Sequence, residues 1–290
     1  MIAVIEPPDL PYFDLLLQRL AAGDPRFCEA FGRHVHWGHW PDPRRSDRSS
    51  DGFAEAAERL CRLVVDAACV ADGQRILDAG CGFGGTVASL NARFNGLDLI
   101  GLNIDPRQLE RAAARVHPTP GNRIRWVAAD ACALPLPDHT LDAVLAVECI
   151  FHFPSREEFF RECARVLRPG GRLALSDFVP TPALKILLAG LSGGRDASQP
   201  SAMAATYGRI DCSWSAADYR RLAQRHGFRL CLDRDITAGT LPTYPVVEDL
   251  FACIGALEAV KATRSIAWLS RLGLLRYRVM GWVCDSGPKH

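Results

Sequence analysis

The stretch Arg75-Ile-Leu-Asp-Ala-Gly-Cys-Gly-Phe-Gly-Gly-Thr86 constrains the fold more than any other part of the chain. An apolar run ends in an acid, glycines follow at alternate positions, and a helical pattern begins directly after. Gly80, Gly82 and Gly84 lack a Cβ, so the backbone can turn sharply there and approach a ligand closely. Asp78 then stands at the end of a strand, in the crevice where open α/β sheets bind ligands. The helix beyond it offers free N–H groups. On either side, short apolar runs alternate with amphipathic helical patterns. Strands are expected at 75–79, 97–103, 123–128, 141–147 and 171–178, and helices at 85–94, 106–116 and 155–168. That alternation implies βαβ units and a mostly parallel sheet with right-handed crossovers.

The glycine loop discriminates among ligands. Its spacing is Gly-x-Gly-x-Gly, not the G-x-G-x-x-G of a dinucleotide site. Asp78, ahead of the first glycine, would repel a pyrophosphate but suits a cationic amino-acid ligand. No lysine follows, which excludes a P-loop. A tight turn with no ligand is the bland alternative, but the later segments fall at the intervals a binding fold requires.

Residues 75–178 resemble the class I S-adenosylmethionine-dependent methyltransferases. ILDAGCGFGG is similar to that family's first motif, VAADACALPLPDHTLDAVLAVECIFHF to its adenine-side motif, fourth strand and following loop, and VLRPGGRLALSDF to its fifth strand. More narrowly, GRHVHWGHW and RDITAGTLPTY resemble segments of bacterial natural-product methyltransferases and their sugar and tocopherol relatives. The resemblance implies a doubly wound, Rossmann-like α/β fold with a mostly parallel seven-stranded sheet and helical cap insertions. It also implies S-adenosyl-L-methionine as cofactor, with S-adenosyl-L-homocysteine as product.

By the same resemblance, Asp78 and the backbone from Gly80 through Cys81 and Gly82 to Gly84 face the methionine part of the cofactor. Asn103 and Ile104 lie at the ribose. Many relatives carry an acid at the position of Asn103, and Asp105 is alternatively the cap of the helix starting at Pro106. Asp130 and Ala131 hold adenine, and Glu148 lies near the sulfonium, or is a structural acid. His152 is the candidate base, and Asp177 its orienting partner or proton acceptor. The opposing reading is that His152 packs under the cofactor and Asp177 caps a strand end.

Residues 1–52 read as an N-terminal arm or lid with helical turns near 12–22, ahead of a methyltransferase domain at 53–290. A helix is expected at 53–71, cap insertions at about 180–213 (with a helix at 184–191) and 237–273, a helix at 215–226, and last strands at 227–235 and 275–284. His36, Trp37 and Trp40 of the arm, with Met203, Tyr207, Trp214 and Tyr244 of the cap, are candidates for excluding water and lining the acceptor pocket. Each aromatic taken singly is more often core. His34, His36 and His39 have metal-ligand residue types, but no Cys or acid cluster accompanies them, and no metal is expected.

The 290 residues carry a net charge of +1, which gives no reason to expect nucleic acid as a partner. Eleven scattered cysteines fit a reduced, cytoplasmic thiol set. No stretch is long enough to span a bilayer, although 266–282 has some character of a surface helix. The expected partner is a small, largely apolar organic acceptor, and a homodimer stays open. Methyl transfer to oxygen in a biosynthetic pathway is the leading function. Carbon or nitrogen methylation, a cyclase that keeps the cofactor without methyl transfer, and a NAD-dependent oxidoreductase are the alternatives.

Overall fold

Buried aliphatic residues run through the central parallel strands, so the sheet is driven to the centre of the molecule. The computed structural model describes residues 10–191 and 202–285. Seven strands form one sheet: β1 (Arg75–Ala79), β2 (Asp98–Asn103), β3 (Arg123–Ala128), β4 (Leu141–Val147), β5 (Leu167–Pro180), β6 (Phe228–Asp235) and β7 (Leu275–Cys284). Their spatial order is β3-β2-β1-β4-β5-β7-β6. The first five run parallel, and β7 is antiparallel to β5 and β6. Every residue of β4 is buried, as a strand covered on both faces requires. Strand order reverses between β1 and β4, and their carboxyl ends open a crevice at that switch point.

On one face, α3 (Ser50–Ala67) and α4 (Gly85–Arg93) bring Leu60, Val64, Val87 and Leu90 against Ile76 and Leu99. On the other, α6 (Arg156–Val166) and α9 (Ala216–Arg225) bring Phe159, Phe160 and Tyr219 against Leu77, Val144 and Trp282. The helix α5 (Pro106–Arg115) follows β2 and is capped by Asp105, which accepts from Arg107 N–H at 2.9 Å. The remaining helices are α1 (Pro11–Ala21), α2 (Pro25–Phe31), α7 (Pro182–Leu191), α8 (Ala202–Tyr207), α10 (Thr237–Thr240), α11 (Thr243–Ala252) and α12 (Leu257–Arg271). Of these, α1, α2 and α11 share an apolar core with Phe53 and Phe83.

Differences from the sequence expectations have local causes. The front end holds two helices, each entered through a proline in its first turn. Ser49 starts α3 early by accepting from Gly52 N–H at 2.9 Å, and the positive φ of Cys69 lies just past its end. The fifth strand runs well beyond 171–178, because β7 pairs with it out to Pro180 and β4 reaches back to Leu167. The insertion expected at 180–213 lies partly outside the described residues, and the mixed segment 237–273 resolves into three helices.

Candidate active site

The glycine loop crosses the switch-point crevice with Gly80, Gly82 and Gly84 all at positive φ. A Cβ on Gly80 would lie 2.8 Å from Cys149 Cβ, and one on Gly82 would lie 2.9 Å from Val35 Cγ2. Both positions line a cavity of about 120 Å³, together with Cys81. Gly84 does not line it, contrary to expectation. Its Cβ direction is filled by Trp126, 2.7 Å away, so this glycine serves close helix–sheet packing instead.

Asp78 is fully buried at the end of β1 and lines the same cavity. Its Oδ2 has no hydrogen-bond partner among the described residues, and burial pushes the carboxyl up to about 7. An orphaned carboxylate oxygen is costly unless something cationic completes it. The ammonium of an amino-acid ligand is a cation that would fit there, and the residues further along suit the rest of S-adenosylmethionine. Asn103 and Ile104 line the cavity beyond Leu102. The Asn103 amide is fixed by Gln108 Oε1 at 3.1 Å and by the N–H of Asp105 at 3.0 Å. Ala129, Asp130 and Ala131 close the far end, where Asp130 accepts from Cys132 N–H at 2.8 Å.

Glu148 follows β4 with φ of 51°, a strained conformation of the kind found at functional sites. It accepts from the Trp37 N–H at 3.0 Å and from the Tyr277 hydroxyl. Burial pushes it up to about 8. Glu148, Tyr12 and Val35 also border a second cavity of about 270 Å³. Its wall is mostly apolar, from Trp37, Phe151, Phe178, Met203, Tyr207 and Leu269.

His152 ends the short 3₁₀ turn Ile150–His152 after β4. Its Nε2 is 3.1 Å from the Tyr12 hydroxyl, and its Nδ1 is 3.4 Å from the Arg209 carbonyl. A carbonyl only accepts, so Nδ1 carries the proton and Nε2 receives one from Tyr12. Burial pushes the imidazole down to about 4, which keeps it neutral. Asp177 does not meet this ring. It is buried against Arg156 at 3.4 Å, the Tyr219 hydroxyl and the Phe178 N–H at 2.8 Å. That cluster occupies its oxygens, so the expected pairing of Asp177 with His152 is replaced by Tyr12. No motif marks Tyr12; the only expectation around it is of helical turns near 12–22.

The arm crosses the glycine loop. Arg33, His34, Val35 and His36 line the first cavity and Trp37 the second. Trp40 lies elsewhere: it is buried beside Phe53, and its N–H donates to Gly239 at 2.8 Å. Trp214 covers Arg156 at 5.6 Å and lines neither cavity. Tyr244 lies behind Trp37, with its hydroxyl 2.7 Å from Ser270. His39 packs on Gly239, away from His34 and His36. Among the described residues no group of three or more His, Cys, Asp or Glu side chains is set to hold a metal, and no helix is long and apolar enough to cross a membrane.

A methyltransferase-domain family matches residues 77–175. Methyltransferase GfsG of Streptomyces halstedii is 36% identical over 223 residues, 76% of this chain and 75% of that protein. The 27-O-demethylrifamycin SV methyltransferase of Amycolatopsis mediterranei is 39% identical over 158 residues, 53% of this chain and 56% of the relative. Among solved structures, the cyclase SpnF superposes with a TM-score of 0.71 at 22% identity, over 96% of this chain and 94% of that one; this likeness concerns the fold. With the triple-glycine bend, the unpartnered Asp78 oxygen and these relatives together, the chain belongs to the class I S-adenosylmethionine-dependent methyltransferases.

Proposed function

We propose that the protein methylates an oxygen of a small, largely apolar organic acceptor of natural-product type. The observation that carries this reading is the junction of the two cavities at Tyr12, Val35 and Glu148. These residues line both cavities, so an acceptor in the apolar cavity meets the cofactor beside them, and the Tyr12 hydroxyl lies 3.1 Å from His152 Nε2. The names of the relatives, which include O-methyltransferases, support oxygen as the atom modified.

When bound, the cofactor supplies an electrophilic methyl group on a sulfonium. Asp78 binds the ammonium, and Asn103, Asp130 and Ala131 orient the nucleoside. Trp37, Phe151 and Phe178 hold the acceptor and exclude water, which lets alignment lower the barrier. His152 lines the first cavity but not the second, whereas Tyr12 lines both. The Tyr12 hydroxyl therefore passes the acceptor's proton to His152 Nε2. Burial raises Tyr12 well above its ordinary value, so it relays the proton without resting as an anion.

The test is incubation with S-adenosylmethionine and a panel of phenols and hydroxylated apolar acceptors, reading S-adenosylhomocysteine release and methylated product. His152→Ala is expected to slow turnover at least 100-fold, and Tyr12→Phe to do the same. Affinity for S-adenosylhomocysteine should stay within about threefold in both. Near-normal turnover in both variants refutes the relay, and acceptor conversion without S-adenosylhomocysteine release refutes methyl transfer in favour of cyclisation.

A further inference from the structure

The arm holds a cluster that methyl transfer leaves unused. His34 and His36 are buried beside the cofactor cavity with ring centroids 4.8 Å apart. Three contacts run through them in series. His36 Nδ1 is 2.9 Å from the Trp37 carbonyl, His36 Nε2 is 3.1 Å from His34 Nδ1, and His34 Nε2 is 2.9 Å from Glu58 Oε2. Both ends of this series only accept. A carbonyl has no proton to give. Burial raises Glu58, but hydrogen bonds from His34, Ser89 and Arg62 outweigh it and hold the carboxyl well below its usual range.

Two neutral imidazoles bring two ring protons, and the ends consume both, on His36 Nδ1 and His34 Nε2. The central contact then sets two nitrogen lone pairs face to face at 3.1 Å. One further proton converts that repulsion into a hydrogen bond with a positive charge spread over two rings. Burial pushes both rings down, His36 to about 3, so the central position stays unprotonated near neutrality unless an anion arrives.

The same cavity carries the unpartnered oxygen of Asp78. An amino-acid end needs two complements, an anion for its ammonium and a cation for its carboxylate. We propose that the His34–His36 pair takes up one proton from solvent when the carboxylate of the cofactor enters, and so becomes that cation. This rests on the cofactor assignment and adds to it the carboxylate's partner and a linked proton. One N–H bond forms on the pair, and none breaks in the ligand.

Other ionisable groups facing this region behave differently. Asp78, raised to about 7, releases its proton when the ammonium binds. Glu148, raised to about 8, faces the sulfur end of the ligand. The Cys61, Cys81 and Cys149 thiols are raised and stay protonated. Arg33 and Arg62 pair with Glu58 at 3.2 Å and 2.9 Å.

The experiment is calorimetric titration of the full chain with S-adenosylhomocysteine at pH 8, in two buffers of different ionisation enthalpy. At that pH Asp78 is already largely ionised and contributes little. The wild-type protein is expected to take up more protons per ligand than His36→Gln, whose side chain cannot be protonated. Glutamine there should weaken binding about tenfold at pH 7. Binding of 5′-methylthioadenosine, which lacks the amino-acid end, should take up none in either protein. Uptake by the wild type no greater than that by His36→Gln, in which Asp78 and Glu148 are unchanged, overturns the inference. Absence of any S-adenosylhomocysteine binding to the wild type overturns the cofactor assignment, and this inference with it.

Discussion

Asp78 joins a structural cost to a chemical use. Its carboxyl is raised from 3.8 to about 7, so the folded state holds a proton that the unfolded chain releases. The sign follows from that: the folded protein is favoured below about pH 4, and it loses stability as pH rises to about 7. For a fully buried group the loss is roughly 4 kcal/mol. Asp78→Asn is therefore expected to melt at least as high as wild type at pH 8 while losing affinity for S-adenosylhomocysteine by more than 100-fold. Thermal melts across pH 4–8 with and without ligand check both halves. A variant that is less stable than wild type at pH 8, or that binds normally, contradicts the role. The position of Asp78 was legible because its strand, the turn and the next helix are contiguous in sequence. Tyr12 was not, because it meets His152 from 140 positions away.

At the scale of elements, strands β1, β3, β4 and β7 lie exactly where periodicity places them, since their signals are local runs of apolar residues. The ends of β5 were hidden because pairing with β4 and β7 defines them. The environment of Asp177 was hidden for a similar reason. It depends on Arg156 at the start of α6 and Tyr219 on α9, and on a loop that brings Asp211 within 2.9 Å of the same guanidinium. Arg156 and Asp177 are almost fully buried, so removing one partner strands the other. Arg156→Met is expected to destabilise the fold by about 3–5 kcal/mol, read from urea unfolding. A loss below 1 kcal/mol would mean that the pair is not a structural tie between the two helices and the sheet.

Over the whole molecule, the sheet provides a rigid floor while the arm and the cap helices roof it. Only the floor was legible in detail, because the roof is assembled from segments far apart in sequence: α1, α8, α11 and α12. The arm residues from Arg33 to His36 line the cofactor cavity, so their amides are expected to exchange at least tenfold more slowly when S-adenosylhomocysteine is bound. Unchanged exchange there would separate the arm from the binding event. An acid-led triple-glycine bend accepts a cationic amino-acid nucleoside in preference to a phosphate chain, and the cofactor assignment rests on that preference. Side-by-side calorimetric titration of the purified chain with S-adenosylhomocysteine and with NAD tests that claim most directly. Saturable one-to-one binding of S-adenosylhomocysteine, abolished in Asp78→Asn, is expected, with no heat from NAD; binding of NAD, or silence with S-adenosylhomocysteine, would contradict the assignment.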